Sequence, residues 1–186
     1  TNTATIEQFD HLIAADGPAA LVIREHLIPA EGADAVFFPP TYAPSRKGEK
    51  SGYNIDTAKD GSNIVLVDSV GSQANRIEPM FKEKPYSALV PQIVITAGEK
   101  EVNLLDAGHR AGDAIIRCSA LKDTLNAAFL AILKKNNALP LAKIAPTSLV
   151  FGVWDSRDTQ AKVPRLIAST IRAYNVRPLT RAAQYI

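Results

Sequence analysis

The 186 residues contain a single cysteine, a single methionine and a single tryptophan, and these scarcities remove whole classes of explanation. A lone Cys118 excludes an internal disulfide and a cysteine-built zinc cage. No apolar stretch approaches the roughly 20 residues that a bilayer-spanning helix needs. The opening residues carry no signal-peptide pattern, so a cytoplasmic location is the default expectation. An excess of one charge is missing as well: 21 Lys and Arg stand against 19 Asp and Glu, too even a total to argue for nucleic acid. There is no GxxxxGK[ST] phosphate loop and no three-glycine dinucleotide fingerprint, and no cofactor is implied. A nucleophilic triad cannot be assembled either. Ser148 and Cys118 lie in core-like runs, while His11 and His26 fall on a terminal helix and a first strand.

What is present is an ordinary globular composition with an uneven charge distribution. A hydrophobic fraction of 46% over this length suits one domain with a real core. From Lys143 onward, seven basic residues (Lys143, Arg157, Lys162, Arg165, Arg172, Arg177, Arg181) meet two acidic ones, Asp155 and Asp158. A local excess of +5 on a chain of net +2 signals an anionic ligand, and nucleic acid is the commonest.

Ile6, Phe9, Leu12 and Ile13 mark a short amphipathic helix, with Thr5 and Gln8 spaced as a capping box and Gly17-Pro18 as its end. Ala20 to Ile28 alternates imperfectly, as a first strand would. Pro29 to Gly61 has insertion composition, with Pro39-Pro40, the cluster 46–50 and interleaved Phe37, Phe38, Tyr42 and Tyr53. Asn63 to Asp68 reads as a buried strand, followed by helical spacing at Val70, Ala74, Ile77 and Phe81 behind an Asp68 or Ser69 cap. Gln92 to Ala97 and Glu101 to Leu105 pair as a hairpin. Gly112 to Lys135 is helical, in one piece or two broken near Leu121, and closed by Asn136-Asn137 and Pro140. Ser148 to Trp154 predicts a strand. Val163, Ile167, Thr170, Ile171 and Tyr174 then predict a helix that would set Arg165 and Arg172 on one face, beside a loop offering Arg157, Gln160 and Lys162. A strand-like RAAQYI follows at 181–186. Mixed alternation with a hairpin is α+β rather than doubly wound α/β.

Three segments carry a resemblance. LVDSVGSQANRIEP (Leu66 to Pro79), LLDAGHRAGDAIIR (Leu104 to Arg117) and VFGVWDSRDTQAKVPRL (Val150 to Leu166) resemble, in order and in register, the backbone subunit of type I-U (also called I-G) CRISPR effector complexes. That subunit is one of the RAMP proteins, which are built on RRM-like, ferredoxin-like folds. The resemblance implies an RRM-like core with a loop-rich insertion at 29–61, within a single domain spanning 1–186. Members of that family are longer, and the chain begins at Thr1 without methionine, so a partial chain is expected. It further implies a non-catalytic subunit that binds guide RNA, lines up with copies of itself and with other effector subunits, and supports pairing of the guide with target DNA. No membrane is involved.

Side chains chosen on chemical grounds as RNA contacts are Ser72, Gln73, Arg76, His109, Arg110, Arg117, Arg157, Gln160, Lys162, Arg165 and Arg172. For Ser72, Gln73 and Arg76 the plain alternative is an ordinary capped helix. Trp154, ending an apolar strand, reads as core or rim packing, with base stacking as the rarer choice. Asp155 and Asp158 read as ion-pair partners within their arginine-rich loop. An alternative function, a metal-dependent RAMP ribonuclease, would draw on Asp106, His109 and Asp113 as hard-oxygen and imidazole ligands.

Overall fold

The spacing at Ile6, Phe9, Leu12 and Ile13 yields a 3-10 turn (Ile6–Phe9) that runs into one α-helical turn, α1 (Asp10–Ile13). Thr5 makes no side-chain cap; its carbonyl accepts from the Gln8 N–H at 3.2 Å. These elements lie in the first of two units, Thr1–Phe38 and Pro39–Ile186, of a computed structural model that describes residues 5–44, 46–48 and 52–179. The strand expected over Ala20 to Ile28 does not form. Leu21, Val22, Ile23, Leu27 and Ile28 are all at least 66% exposed. The described residues of this unit hold no strand for such a segment to pair with, and an unpartnered strand has no stability of its own.

In the second unit the loop-rich stretch holds a small antiparallel ribbon, β1 (Thr41–Tyr42) on β2 (Gly52–Tyr53), then β3 (Ile55–Thr57). The apolar run Ile64 to Val67 becomes β4 (Asn63–Asp68), with Val65 at its buried centre. Ser69 then caps α2 (Val70–Ile77), its Oγ accepting from the Ser72 N–H at 3.3 Å. A 3-10 turn, Glu78–Lys82, follows, with Pro79 in its first turn. The expected hairpin is β5 (Val94–Ala97) on β6 (Lys100–Asn103). Its two-residue turn needs Gly98 at φ +63°, a conformation that costs glycine nothing.

The long helical stretch is two helices, broken before Lys122: α3 (Ala114–Arg117) and α4 (Lys122–Lys135). α4 buries Leu125, Ala128 and Phe129 at i, i+3 and i+4, the spacing of one face. It stops at Asn136, in the left-handed region at φ +48°. The Asn136 and Asn137 N–H groups bond the Ile132 and Ala131 carbonyls at 3.0 and 3.1 Å, a left-handed closure for which asparagine is suited. α5 (Leu139–Ile144) accepts Pro140 in its first turn. The core gathers Leu104, Ile116, Leu125, Phe129, Leu141, Val153 and Ala161.

Two expectations are corrected near the end of the chain. The first part of the strand expected from Ser148 to Trp154 belongs to a helix, α6 (Pro146–Val150); only β7 (Val153–Trp154) is a strand. Pro146 in the first turn favours a helix start, and Gly152 at φ +79° reverses the chain into β7. The helix expected from Val163 to Tyr174 is absent. β8 (Lys162–Val163) pairs with β7, and β9 (Ile171–Tyr174) pairs antiparallel with β4, completing a three-stranded sheet of order β3-β4-β9. Pro164 removes a helical donor, and Ile167, Thr170 and Ile171 are β-branched, so a ladder offered by β4 outweighs a local four-residue spacing. Helices and small antiparallel sheets alternate throughout, the expected α+β class. The strand-like 181–186 lies outside the described residues, and so do Glu49 and Lys50 of the basic cluster.

Phe129 is wholly buried, so Phe129→Ala is expected to cost about 3–5 kcal/mol. Urea unfolding followed by circular dichroism would show this as a lower midpoint with an unchanged slope.

Candidate nucleic-acid interface

The site grows from a close approach that only glycine permits. The 3-10 turn Arg110–Gly112 lies so near β7 that a Cβ on Gly112 would stand 2.6 Å from the Trp154 carbonyl oxygen. Turn, α3 start and β7 therefore meet edge to edge. Together with the loop after β7 they line an open cleft of about 240 Å³, formed by His109, Gly112, Asp113, Ala114, Trp154, Ser156 and Arg157.

Two buried arginines hold these parts in place. Arg110, 5% exposed, pairs through Nε with Glu78 Oε2 at 2.7 Å, donates to the Gly152 carbonyl (3.2 Å) and Asn75 Oδ1 (3.1 Å), and stacks over Phe151. Burial pushes the Glu78 carboxyl up from its ordinary range, with Thr147 and Arg110 opposing. The same burial lowers Arg110, while Glu78 supports its charge. Arg117, 4% exposed, pairs with Asp155 (3.3 Å) and Asp158 (2.8 Å), donates to the Lys122 carbonyl (3.0 Å) and lies over the Phe129 ring. Asp155 is wholly buried and also accepts from the Thr159 N–H and hydroxyl. The loop from Asp155 to Ala161 is thus clipped inward at both aspartates and presents Ser156, Arg157 and Gln160 outward.

The expected RNA contacts separate accordingly. Arg110 and Arg117 are corrected: each is a buried internal cation, compensated by carboxylates and unable to reach a ligand. Asp155 and Asp158 are ion-paired as expected, but to Arg117 rather than within their own loop. His109 and Arg157 meet at the cleft. Lys162 stands beside them, its ammonium 4.7 Å from the Trp154 ring centroid, a cation–π arrangement. Gln160 is exposed at φ +59° and donates to the Ser156 carbonyl at 2.6 Å. Arg165 is exposed on the coil after β8 and reaches toward Gly71 at the start of α2. Arg172 lies on β9 opposite Leu66, not on a helix face with Arg165. Ser72, Gln73 and Arg76 ride on α2, and much of their capacity is spent locally. Gln73 donates to Asp68 (2.6 Å) and accepts from Ser169 (3.3 Å), and Arg76 pairs with Asp68 at 3.2 Å. Among the described residues no ion pair engages Arg157, Lys162, Arg165 or Arg172.

Trp154, read from sequence as core or rim packing, stands at the rim. It is 52% exposed and lines the cleft rather than the core. The available signal was its position, last in a strand and directly before a basic loop. Asp106, His109 and Asp113 do not converge. Asp106 is ion-paired with Lys82, and Asp113 caps α3 by accepting from the Ile115 N–H at 3.1 Å. Among the described residues no group of three candidate ligands stands close enough to hold a metal, and no helix is long and apolar enough to cross a membrane.

An α+β chain that lines an open cleft with an indole, an imidazole and an unpaired guanidinium has the chemistry to bind aromatic rings and anions together. Over residues 21–178 it matches the family described as CRISPR-associated protein GSU0053, and it belongs to that family, which ties it to CRISPR antiviral defence. No curated protein matches it significantly.

Arg117→Ala would leave Asp155 charged and buried, an expected loss of about 3–5 kcal/mol. Asp158→Asn, at the exposed end of the clip, should cost about 1 kcal/mol or less; chemical denaturation compares the two. The Asp68 carboxyl is held below its usual range by Ser72, Gln73 and then Arg76. Its folded value is depressed, so the stabilisation is present above the unfolded value, about 4, and disappears as pH falls through the folded one. Thermal melts of the parent chain and Asp68→Asn should differ at neutral pH and converge in strong acid.

Proposed function

We propose that this chain is a non-catalytic backbone subunit of a type I-U (I-G) CRISPR effector complex, gripping guide RNA by its ribose–phosphate chain. The observation that carries the reading is the pairing of exposed Trp154 with Arg157 and Lys162, cations that no carboxylate neutralises among the described residues. An indole beside free cations is how single strands are held without regard to sequence, and membership of a CRISPR-associated family makes guide RNA the fitting strand. Arg165 and Arg172 add further phosphate contacts. On this reading the α+β fold is an RRM-like RAMP core. Residues 29–61, which include exposed Phe37 and Phe38 and Tyr42 as wedges, are an insertion that parts groups of guide bases. Copies then line up along one guide with other effector subunits in the cytoplasm, leaving the remaining bases to pair with target DNA.

Binding of a labelled single-stranded RNA, followed by anisotropy across a salt series, tests this. Arg157→Ala and Lys162→Ala should each flatten the log–log salt slope by about 0.7, the release expected for one lost phosphate contact. The same RNA should stay intact with magnesium. An unchanged slope in both variants would remove the proposed grip, and magnesium-dependent cleavage abolished by Asp106→Ala would replace it with a nuclease.

A further inference from the structure

The cleft beside Trp154 holds more than a phosphate contact requires. Its volume, about 240 Å³, lies just under the range of about 300–1,000 Å³ common for drug-sized ligands, which suits one base better than two. Gly112 and Ala114 form small walls, Trp154 supplies an aromatic surface, and Asp113 contributes a carboxylate. One Asp113 oxygen caps α3 through the Ile115 N–H; among the described residues nothing engages the other. Arg157 stands on the loop side of the same cleft, held there by the inward clip of Asp155 and Asp158.

We infer that this cleft is a single-nucleotide pocket that takes one unstacked base against Trp154 and favours bases carrying an exocyclic amine. The inference deepens the RNA-binding reading and rests on it, but it adds a selectivity that a backbone grip lacks. Asp113 accepts a hydrogen bond from the amino group of cytosine or adenine. Uracil presents a carbonyl oxygen at the corresponding position, which the carboxylate repels. Arg157 binds the attached phosphate, and Asp113 is the sole acid among the lining residues, which also include His109.

Trp154 is the sole tryptophan, so its emission reports on this pocket directly. The full chain, freed of co-purifying RNA by a high-salt wash, is titrated with CMP, AMP and UMP while emission is excited at 295 nm in wavelength, a setting of about the red edge of protein absorption where tyrosine contributes little. CMP and AMP should quench saturably, with UMP weaker by about fivefold or more, the low end of discrimination for a good base-edge contact. Asp113→Asn retains a competent helix cap and should erase the gap between CMP and UMP. Arg157→Ala should weaken all three nucleotides alike. A labelled RNA that binds by anisotropy while Trp154 emission stays unchanged with both RNA and mononucleotides would overturn the pocket and the indole's part in the grip, leaving the phosphate contacts of Arg157 and Lys162 to the salt slope. Equal quenching by all three nucleotides, unaltered in Asp113→Asn, would overturn the selectivity. Failure of RNA to bind at low salt would sink pocket and grip together.

Discussion

The second unit depends on charges it has removed from water. Arg117 reaches from the end of α3 to Asp155 and Asp158 across a gap of about forty residues in sequence, and its guanidinium lies on Phe129, in the middle of the core. Buried charges are costly unless compensated, and the full cost returns when one partner is lost. The loop after β7 can therefore adopt few positions other than the one in which both aspartates turn inward. Arg110 acts in the same way one turn earlier, joining Glu78, Asn75 and the Gly152 carbonyl. These internal cations position an outward one: Arg157 faces solvent because Arg117 holds its loop.

This arrangement explains why a count of basic residues misleads. The excess after Lys143 subtracts Asp155 and Asp158, yet both are paired by Arg117 from outside the counted stretch, as Glu78 is by Arg110. Exposure and pairing, rather than totals, decide which cations are available to a polyanion. By that measure Arg110 and Arg117 leave the set of exposed cations, while Arg157 and Lys162 stay beside Trp154.

Much of the fold was legible in residue patterns. β4, the cap at Ser69, the hairpin at Gly98 and the break between α3 and α4 rest on local chemistry that a short window contains. The failures share a cause. Val163 to Tyr174 has helical spacing, but Pro164 opposes a helix and Ile171 to Tyr174 join the ladder of β4, a strand about a hundred residues earlier. Ser148 to Trp154 has strand composition, but Pro146 and Gly152 impose a helix and a reversal. Of the residues chosen from charge and position, His109 and Arg157 line the cleft and Lys162 lies over the Trp154 ring. Whether Trp154 lay in the core or at the rim stayed open, because burial depends on what packs against a strand end, which local sequence does not contain. The buried fate of Arg110 and Arg117 depends on Glu78 and Asp155, partners tens of residues away.

Gly112 and Gly152 frame β7, and in each case an added methyl group would strike neighbouring atoms, the Trp154 carbonyl or the Arg165 stem. The scaffold beneath the cleft thus leaves no latitude at those two points. The rim is another matter, since side chains 109, 156 and 157 project from it without supporting anything beneath. Homologous chains could exchange those rim residues and so retune what they hold, while inheriting the same foundation unaltered.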